Sequence, residues 1–404
     1  MGLFDFDALA GETPAPRLPR LPRAANVRRL MRLLDRYLLR ELLLPLAYCL
    51  GGFLVSFIAF DLFNSISDLQ RANLTAVDIL EYYLHRTPEF LVASYVMPMS
   101  LLLALLYALT THARHNELTA MRAAAIPLWR ITLPYFAVGL LFSAAVFLLN
   151  EKLVPDGLDA AERLKSRHAD AQSKDAQRVW KRSVFFINQV ENRRWTIGAY
   201  HLQQNFLWNP QVEWRRNDGA LVRVSAERAR WFHRQWVFTN VVQYEFPAGV
   251  EAPTITKLDS LIVPGLTETP RMIKSEIKIS GLDGLRALRR MQLTSAEILD
   301  YLRLHPQLEK QKRDSLETML HSRFAAPLIC LVVVLIAVPF GALPGRRNVF
   351  VGVAASVGIC FVFFVMKEFS LALGSSGLVP PWLAAWTPNA FFTTTGLVLM
   401  WRVR

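Results

Sequence analysis

Residues 42–63 read LLLPLAYCLGGFLVSFIAFDLF and hold a single charged side chain, Asp61. A helix needs about 20 predominantly apolar residues to cross a bilayer core at its rise of about 1.5 Å per residue. Five further stretches meet that length with no Asp, Glu, Lys or Arg: 90–111, 131–149, 324–344, 348–366 and 378–401. Buried helices of soluble proteins seldom stay uncharged for so long. Three stretches precede and three follow a polar insert at 150–321. The pattern predicts an α-helical polytopic membrane protein, with six transmembrane helices in a 3+3 arrangement around one extramembrane domain.

The composition agrees with that division. Of 404 residues, 52% are hydrophobic and 20% charged, an average over greasy spans and a polar insert. The net charge is +13. Basic residues gather beside the spans, where the positive-inside rule and anionic lipid account for them. No nucleic-acid reader motif accompanies the charge, so no nucleic-acid partner is expected. Cys49, Cys330 and Cys360 all fall within the spans, so no disulfide staples the insert. Their spacing matches no zinc or redox pattern, and no cofactor or metal is expected.

Residues 1–27 alternate Pro14, Pro16, Pro19 and Pro22 with Arg17, Arg20 and Arg23, which reads as a disordered basic tail and lacks the apolar segment of a signal peptide. Over 27–41, Arg28, Arg29, Arg32, Arg36 and Arg40 stand against leucines. Such an amphipathic helix suits the headgroup layer. It opens a first membrane half, 28–149; the second is 322–404. Arginines then set the orientation. Arg114, Arg122 and Arg130 lie between spans two and three, Arg346 and Arg347 between four and five, and Arg402 and Arg404 at the end. On the opposite side, 64–89 carries Arg71 and Arg86 against Asp68, Asp78, Glu81 and Glu89, and 374–380 is uncharged. Both termini are expected in the cytoplasm and the insert outside it.

Within the insert, 183–263 reads as β: SVFFINQV, RWTIGAYHL, ALVRVSAERARW and WVFTNVVQYEF mix β-branched and aromatic residues with polar ones. Asn217-Asp218-Gly219 is a hairpin turn signal, and His233-Arg234-Gln235 fits a second. A sandwich, a barrel and an open meander all fit the pattern. Phe185, Ile187, Trp195, Ile197 and Val224 are candidates for an apolar interior able to hold acyl chains. Thr294 and Glu297 have capping-box spacing ahead of a helix that His305-Pro306 ends, and a second helix over 308–321 returns to the membrane.

Catalytic patterns are scarce. There is no Walker A, HExxH or GxSxG motif. His112 and His115 read as a solvated loop face, and Asp61, Asp68 and Asp78 are the only carboxylates placed for acid–base work at the outer leaflet. Lys367-Glu368 and Arg323 stand near the outer ends of spans five and four, positions suited to lipid phosphates or to snorkelling. The loop after span two reads ELTAMRAAAI at 117–126, with Leu118, Met121 and Ala125 on one helical face. It suits an interfacial helix lying on lipid, or a docking helix that inserts its apolar face into a groove on a soluble partner.

ELTAMRAAAIPLWRI, GAYHL, NDGALVRVSAERARW, WVFTNV, RFAAPL, VPFG and GLVPPWLAAWTPN together resemble the LptF/LptG permeases of the lipopolysaccharide-export ABC transporter. That resemblance implies a jellyroll-like periplasmic β domain and a permease subunit that is not itself an enzyme. It extracts lipopolysaccharide or a related glycolipid from the bacterial inner membrane. The implied partners are a sister permease, a cytoplasmic ABC ATPase dimer and periplasmic jellyroll bridge proteins. By resemblance, 117–126 is the coupling helix, with Glu117, Leu118, Met121, Arg122 and Ile126 toward the ATPase. The family usually has Gly where Ala125 stands, and basic residues near the outer end of span one where this chain has Asp61 and Asp68. A membrane enzyme acting on lipid-linked sugars and a non-transporting periplasmic receptor or scaffold are the alternative readings.

The arginine asymmetry makes a direct prediction. Protease added outside spheroplasts should cut the insert while tags on both termini stay protected; accessible termini would overturn the topology.

Overall fold

The computed structural model describes residues 24–72, 74–93, 95–167, 180–202, 204–247, 252–280, 293–341 and 349–402. Of the tail expected over 1–27, residues 1–23 lie outside them, whereas 24–27 belong to the first helix; the turn carrying Arg346 and Arg347 also lies outside, as does Arg404. The first half consists of α1 (Ala24–Arg71), α2 (Ala76–Ala93), α3 (Val96–Arg114), α4 (Glu117–Ala123) and α5 (Leu128–Leu148). A π turn, Leu149–Leu153, continues α5 into α6 (Val154–Arg167). After the β insert come α7 (Pro270–Ser280), α8 (Ser295–Leu304), α9 (Lys310–Ala325), a 3-10 turn at Ala326–Leu328, α10 (Ile329–Gly341), α11 (Val349–Ser375) and α12 (Pro381–Arg402).

Among the described residues five helical stretches are long and apolar enough to cross a bilayer: Leu33–Arg71, Val96–Arg114, Leu128–Lys165, Lys310–Gly341 and Val357–Ser375. The sixth expected span falls in α12, whose Thr387, Asn389, Thr393, Thr394 and Thr395 lower its apolarity. Part of that polarity serves packing: the buried Asn389 amide donates to the Ala325 carbonyl at 2.7 Å, beside the 3-10 turn. The expected amphipathic helix and first span form one continuous helix, α1. The second span is shorter than expected. Tyr95 adopts a left-handed φ of 57°, which ends the helical path and assigns Phe90 to α2.

α3 runs through the centre of the bundle. Leu101, Leu102, Leu105 and Leu109 join one core with Leu38 and Leu42 of α1, Ile131 and Tyr135 of α5, and Cys330 and Val334 of α10. Both halves of the chain thus share one apolar interior.

The insert is a six-stranded antiparallel sheet in sequence order: β1 (Trp180–Asn188), β2 (Arg193–His201), β3 (Phe206–Arg215), β4 (Leu221–Phe232), β5 (Gln235–Phe246) and β6 (Thr254–Ile262). This is a meander. The jellyroll implied by resemblance would need Greek-key crossovers between two sheets, and none occurs among the described strands. Both expected turns are present. Gly219 has φ 86°, with the Arg216 N–H donating to the Ala220 carbonyl at 2.8 Å. His233 and Arg234 have φ 46° and 65°, two successive left-handed residues between the paired Phe232 and Gln235. That geometry matches the right-handed strand twist.

One inward row crosses four strands, Phe186 to Trp195 to Val212 to Val224. Ile273 of α7, a helix the sequence pattern did not announce, covers that core. The expected capping box is present: Thr294 Oγ1 accepts from the Glu297 N–H at 3.1 Å, and Glu297 Oε2 accepts from the Thr294 N–H at 2.9 Å.

α6 lies tightly on α2. A methyl group at Gly157 would intrude on the His85 carbonyl. In a solvent-facing helix Gly→Ala stabilises by about 0.8–1 kcal/mol. Here Gly157→Ala should instead lower the melting temperature of the detergent-solubilised protein, and a rise would show that α2 and α6 do not pack so closely.

Candidate functional site

Two polar constellations break the apolar bundle, one at the end that carries the β insert and one around α4. At the insert end a cavity of about 360 Å³ opens among α2, α3, the π turn, α9 and α11; Tyr95, Asn150, Ser322, Arg323, Lys367 and Glu368 contribute its polar lining. That volume is at the lower end of the roughly 300–1,000 Å³ typical of small-ligand sites. Arg323 is buried, and its Nη1 donates to the Asn150 carbonyl at 3.2 Å and lies 3.9 Å from Glu151 Oε2. Lys367 Nζ sits 4.4 Å from the centre of the Tyr95 ring and 3.9 Å from Glu368 Oε1. The two cations singled out from sequence therefore line one cavity. Tyr95 and Asn150, which the pattern did not flag, hold them there.

At the other constellation, α4 is shorter than the expected 117–126 and ends at Ala123. Its apolar face is not offered outward. Leu118 is buried in the bundle core, with Met121 and Ile126 packed against the same cluster. Of the face read from periodicity, Leu118 and Met121 turn inward, while Ala125, beyond the end of the helix, is exposed. The outward surface consists of Thr119, Ala120, Arg122, Ala123, Ala124 and Ala125, small residues around one cation.

Glu117 has partners of its own. Tyr37 Oη of α1 donates to Glu117 Oε2 at 2.9 Å, and His112 Nδ1 of α3 lies 2.7 Å from the same oxygen. His112 is 2% exposed, which corrects its reading as part of a solvated loop face. Burial alone would raise the Glu117 carboxyl, but the hydrogen bonds to His112 and Tyr37 outweigh it and hold the group below its ordinary value. A second tie follows: Arg130, just inside α5, makes a two-pronged pair with Asp35 at 2.9 and 2.8 Å.

The carboxylates weighed for acid–base work are all engaged. Asp61 Oδ2 accepts from Arg86 at 2.8 Å and Tyr83 at 3.1 Å. Asp68 lies 3.9 Å from Arg71 and 3.8 Å from Lys165. Asp78 accepts the Thr75 N–H at 2.9 Å as a helix cap. Each carboxylate has a structural partner, so the geometry gives no support to an acid–base pair at this surface.

In the insert, Trp195, Ile197 and Val224 point inward and are fully buried. Phe185, 54% exposed, and Ile187 do not join them. Cross-strand partners share a face, and Trp195 pairs with Phe186 and Ile197 with Val184, which fixes Val184 and Phe186 as the inward residues of β1. The interior is filled by its own side chains.

A helical bundle with a shared apolar core, helices long and apolar enough to cross a bilayer, and an antiparallel sheet inserted between its halves fit a polytopic membrane protein with a β domain. The family described as lipopolysaccharide export system permease LptF/LptG matches residues 36–402, and the chain belongs to it. Among curated proteins no individual relative matches the sequence.

The end of α4 carries a prediction. Ala125 has φ 58°, its N–H donates to the Arg122 carbonyl at 3.0 Å, and the Ile126 N–H donates to the Met121 carbonyl at 3.2 Å. This is a Schellman stop with alanine in the left-handed position; α11 ends the same way with Gly377 at φ 76°. The left-handed conformation costs an L-residue about 1–2 kcal/mol, and glycine returns up to about 1 kcal/mol of that in chain entropy. Ala125→Gly should raise hydrogen-exchange protection of the Ile126 amide by a factor reflecting up to about 1 kcal/mol, and a loss of protection would contradict the strain.

Proposed function

We propose that the chain is one of two similar permeases in an ATP-driven exporter. It takes lipopolysaccharide or a related glycolipid from the inner membrane and passes it to a periplasmic bridge. The observation that carries this reading is the family match across 36–402, which includes both helical halves and the β insert. Six spans with both termini in the cytoplasm put α4 on the cytoplasmic side, where an ATPase dimer docks on its small-residue surface and on Glu117. The same orientation puts the Arg323–Lys367 cavity near the outer leaflet. There a guanidinium and an ammonium among the polar groups Tyr95, Asn150, Ser322 and Glu368 suit the phosphate or other anionic group of a lipid head. Periplasmic placement of the sheet supports a hand-over to proteins with similar domains.

Glu117→Gln tests the coupling role. The amide keeps an oxygen for Tyr37 and removes the charge, so the variant should insert and accumulate normally. Losing one partner of a buried interfacial charge pair costs about 2–5 kcal/mol. The variant should therefore co-purify much less ATPase and export little lipid. Normal ATPase recovery with full export would show that Glu117 is not the docking carboxylate, and failure of the unaltered chain to bring down an ATPase and a second permease would sink the exporter reading.

A further inference from the structure

Both inward contacts of Glu117 converge on Oε2, and among the described residues no partner meets Oε1. The Tyr37 and His112 rings also pack together, tilted, with centroids 5.7 Å apart. His112 Nε2 is buried, and among the described residues it has no hydrogen-bond partner. A proton there would be an unsatisfied buried donor, so the proton belongs on Nδ1, where it reaches the carboxylate. Three elements, α1, α3 and α4, thus fix one oxygen of a side chain that is one-third exposed, and leave its other oxygen without a partner among the described residues.

The opposite end of the α4 loop is fastened to the same few residues of α1. Arg130 grips Asp35, two residues before Tyr37, through its Nη1 and Nη2. α1 then runs unbroken from Ala24 to Arg71, and near its far end Asp61 binds Arg86 of α2. A displacement of α4 is delivered to residues 35–37 of α1, ahead of the Pro45 inside that helix.

We infer that Tyr37 and His112 are positioning residues of the docking site: they hold Glu117 by its Oε2 and, with the Asp35–Arg130 pair, make α1 move with α4. This rests on the coupling role proposed for Glu117. It assigns the first leg of transmission to α1 through a hydroxyl and a buried imidazole.

The test uses the full chain assembled with its ATPase and second permease in proteoliposomes, reading lipid released per ATP hydrolysed. A defect of stability alone lowers the amount of complex and leaves that ratio unchanged. Tyr37→Phe removes only the hydroxyl and should lower the ratio about tenfold, the scale of one lost hydrogen bond to a charged group. His112→Ala should do the same, and His112→Asn, whose amide nitrogen can donate from near the Nδ1 position, should restore most of it. Should either single variant fail to accumulate, Asp35→Asn, which loosens the second tie, should lower the ratio in the same direction. A wild-type ratio in Tyr37→Phe and His112→Ala, with Glu117→Gln defective, would overturn the positioning role and leave the docking role standing. A Glu117→Gln exporter with normal ATPase binding and a normal ratio would instead remove the reading on which the inference rests.

Discussion

A bilayer core offers no hydrogen bond to a peptide group, so main-chain polar atoms in this protein must be satisfied within helices or buried against other protein. That constraint explains where the bundle departs from α-helix. The left-handed break at Tyr95, the π turn at Leu149–Leu153 and the 3-10 turn beginning at Ala326 are three such departures, and Tyr95, Asn150 and Ala326 all line the same cavity. The cavity exists because the helices around it are irregular, and the irregularity is tolerated because it faces protein. The Asn150 carbonyl in the π turn is taken up by Arg323, so a backbone defect and a buried cation stabilise each other.

Charge follows the same rule, since a buried charge is costly unless it is paired. Arg86 is held by Asp61 and Glu89 and lies 5.0 Å from the centre of the Phe90 ring. Arg130 is held by Asp35. The acidic residues that replace the family's usual basic positions near the end of α1 therefore act inside this chain as anchors between helices. Lys367 and Arg323 differ in lining a cavity, and their carboxylate partners, Glu368 and Glu151, stand at 3.9 Å, not at hydrogen-bond distance. This contrast, more than charge itself, marks the cavity as the place where a ligand would be met.

The β insert is organised by register. Phe186, Trp195, Val212 and Val224 form one row, and the sheet is closed over by Ile273. Its interior is occupied by aromatic rings, Phe186 stacking on Trp195 at 5.9 Å. An acyl chain entering there would displace packed side chains, each costing several kcal/mol to uncover. The strand pattern implied apolar faces; it did not imply a vacant interior.

The sequence by itself determined the helical and β territories, because both depend on local period and length. Long uncharged apolar runs specify membrane helices, alternation between polar and apolar residues specifies strands, and Asn217-Asp218-Gly219 and the Thr294–Glu297 box act over a few residues. The motif combination was also enough to suggest the family. Only the tertiary structure decided what each side chain meets. The Tyr37–Glu117 bond spans 80 residues, Asp35–Arg130 spans 95 and Arg323–Asn150 spans 173. No local pattern encodes such pairings. For the same reason the inward phase of β1 depended on its pairing with β2, since a strand with apolar residues on both faces does not declare which is buried. The apolar face of α4 turned toward its own bundle because Leu118 found a core already built from residues distant in the chain, and that arrangement is specified only when all of them are folded together.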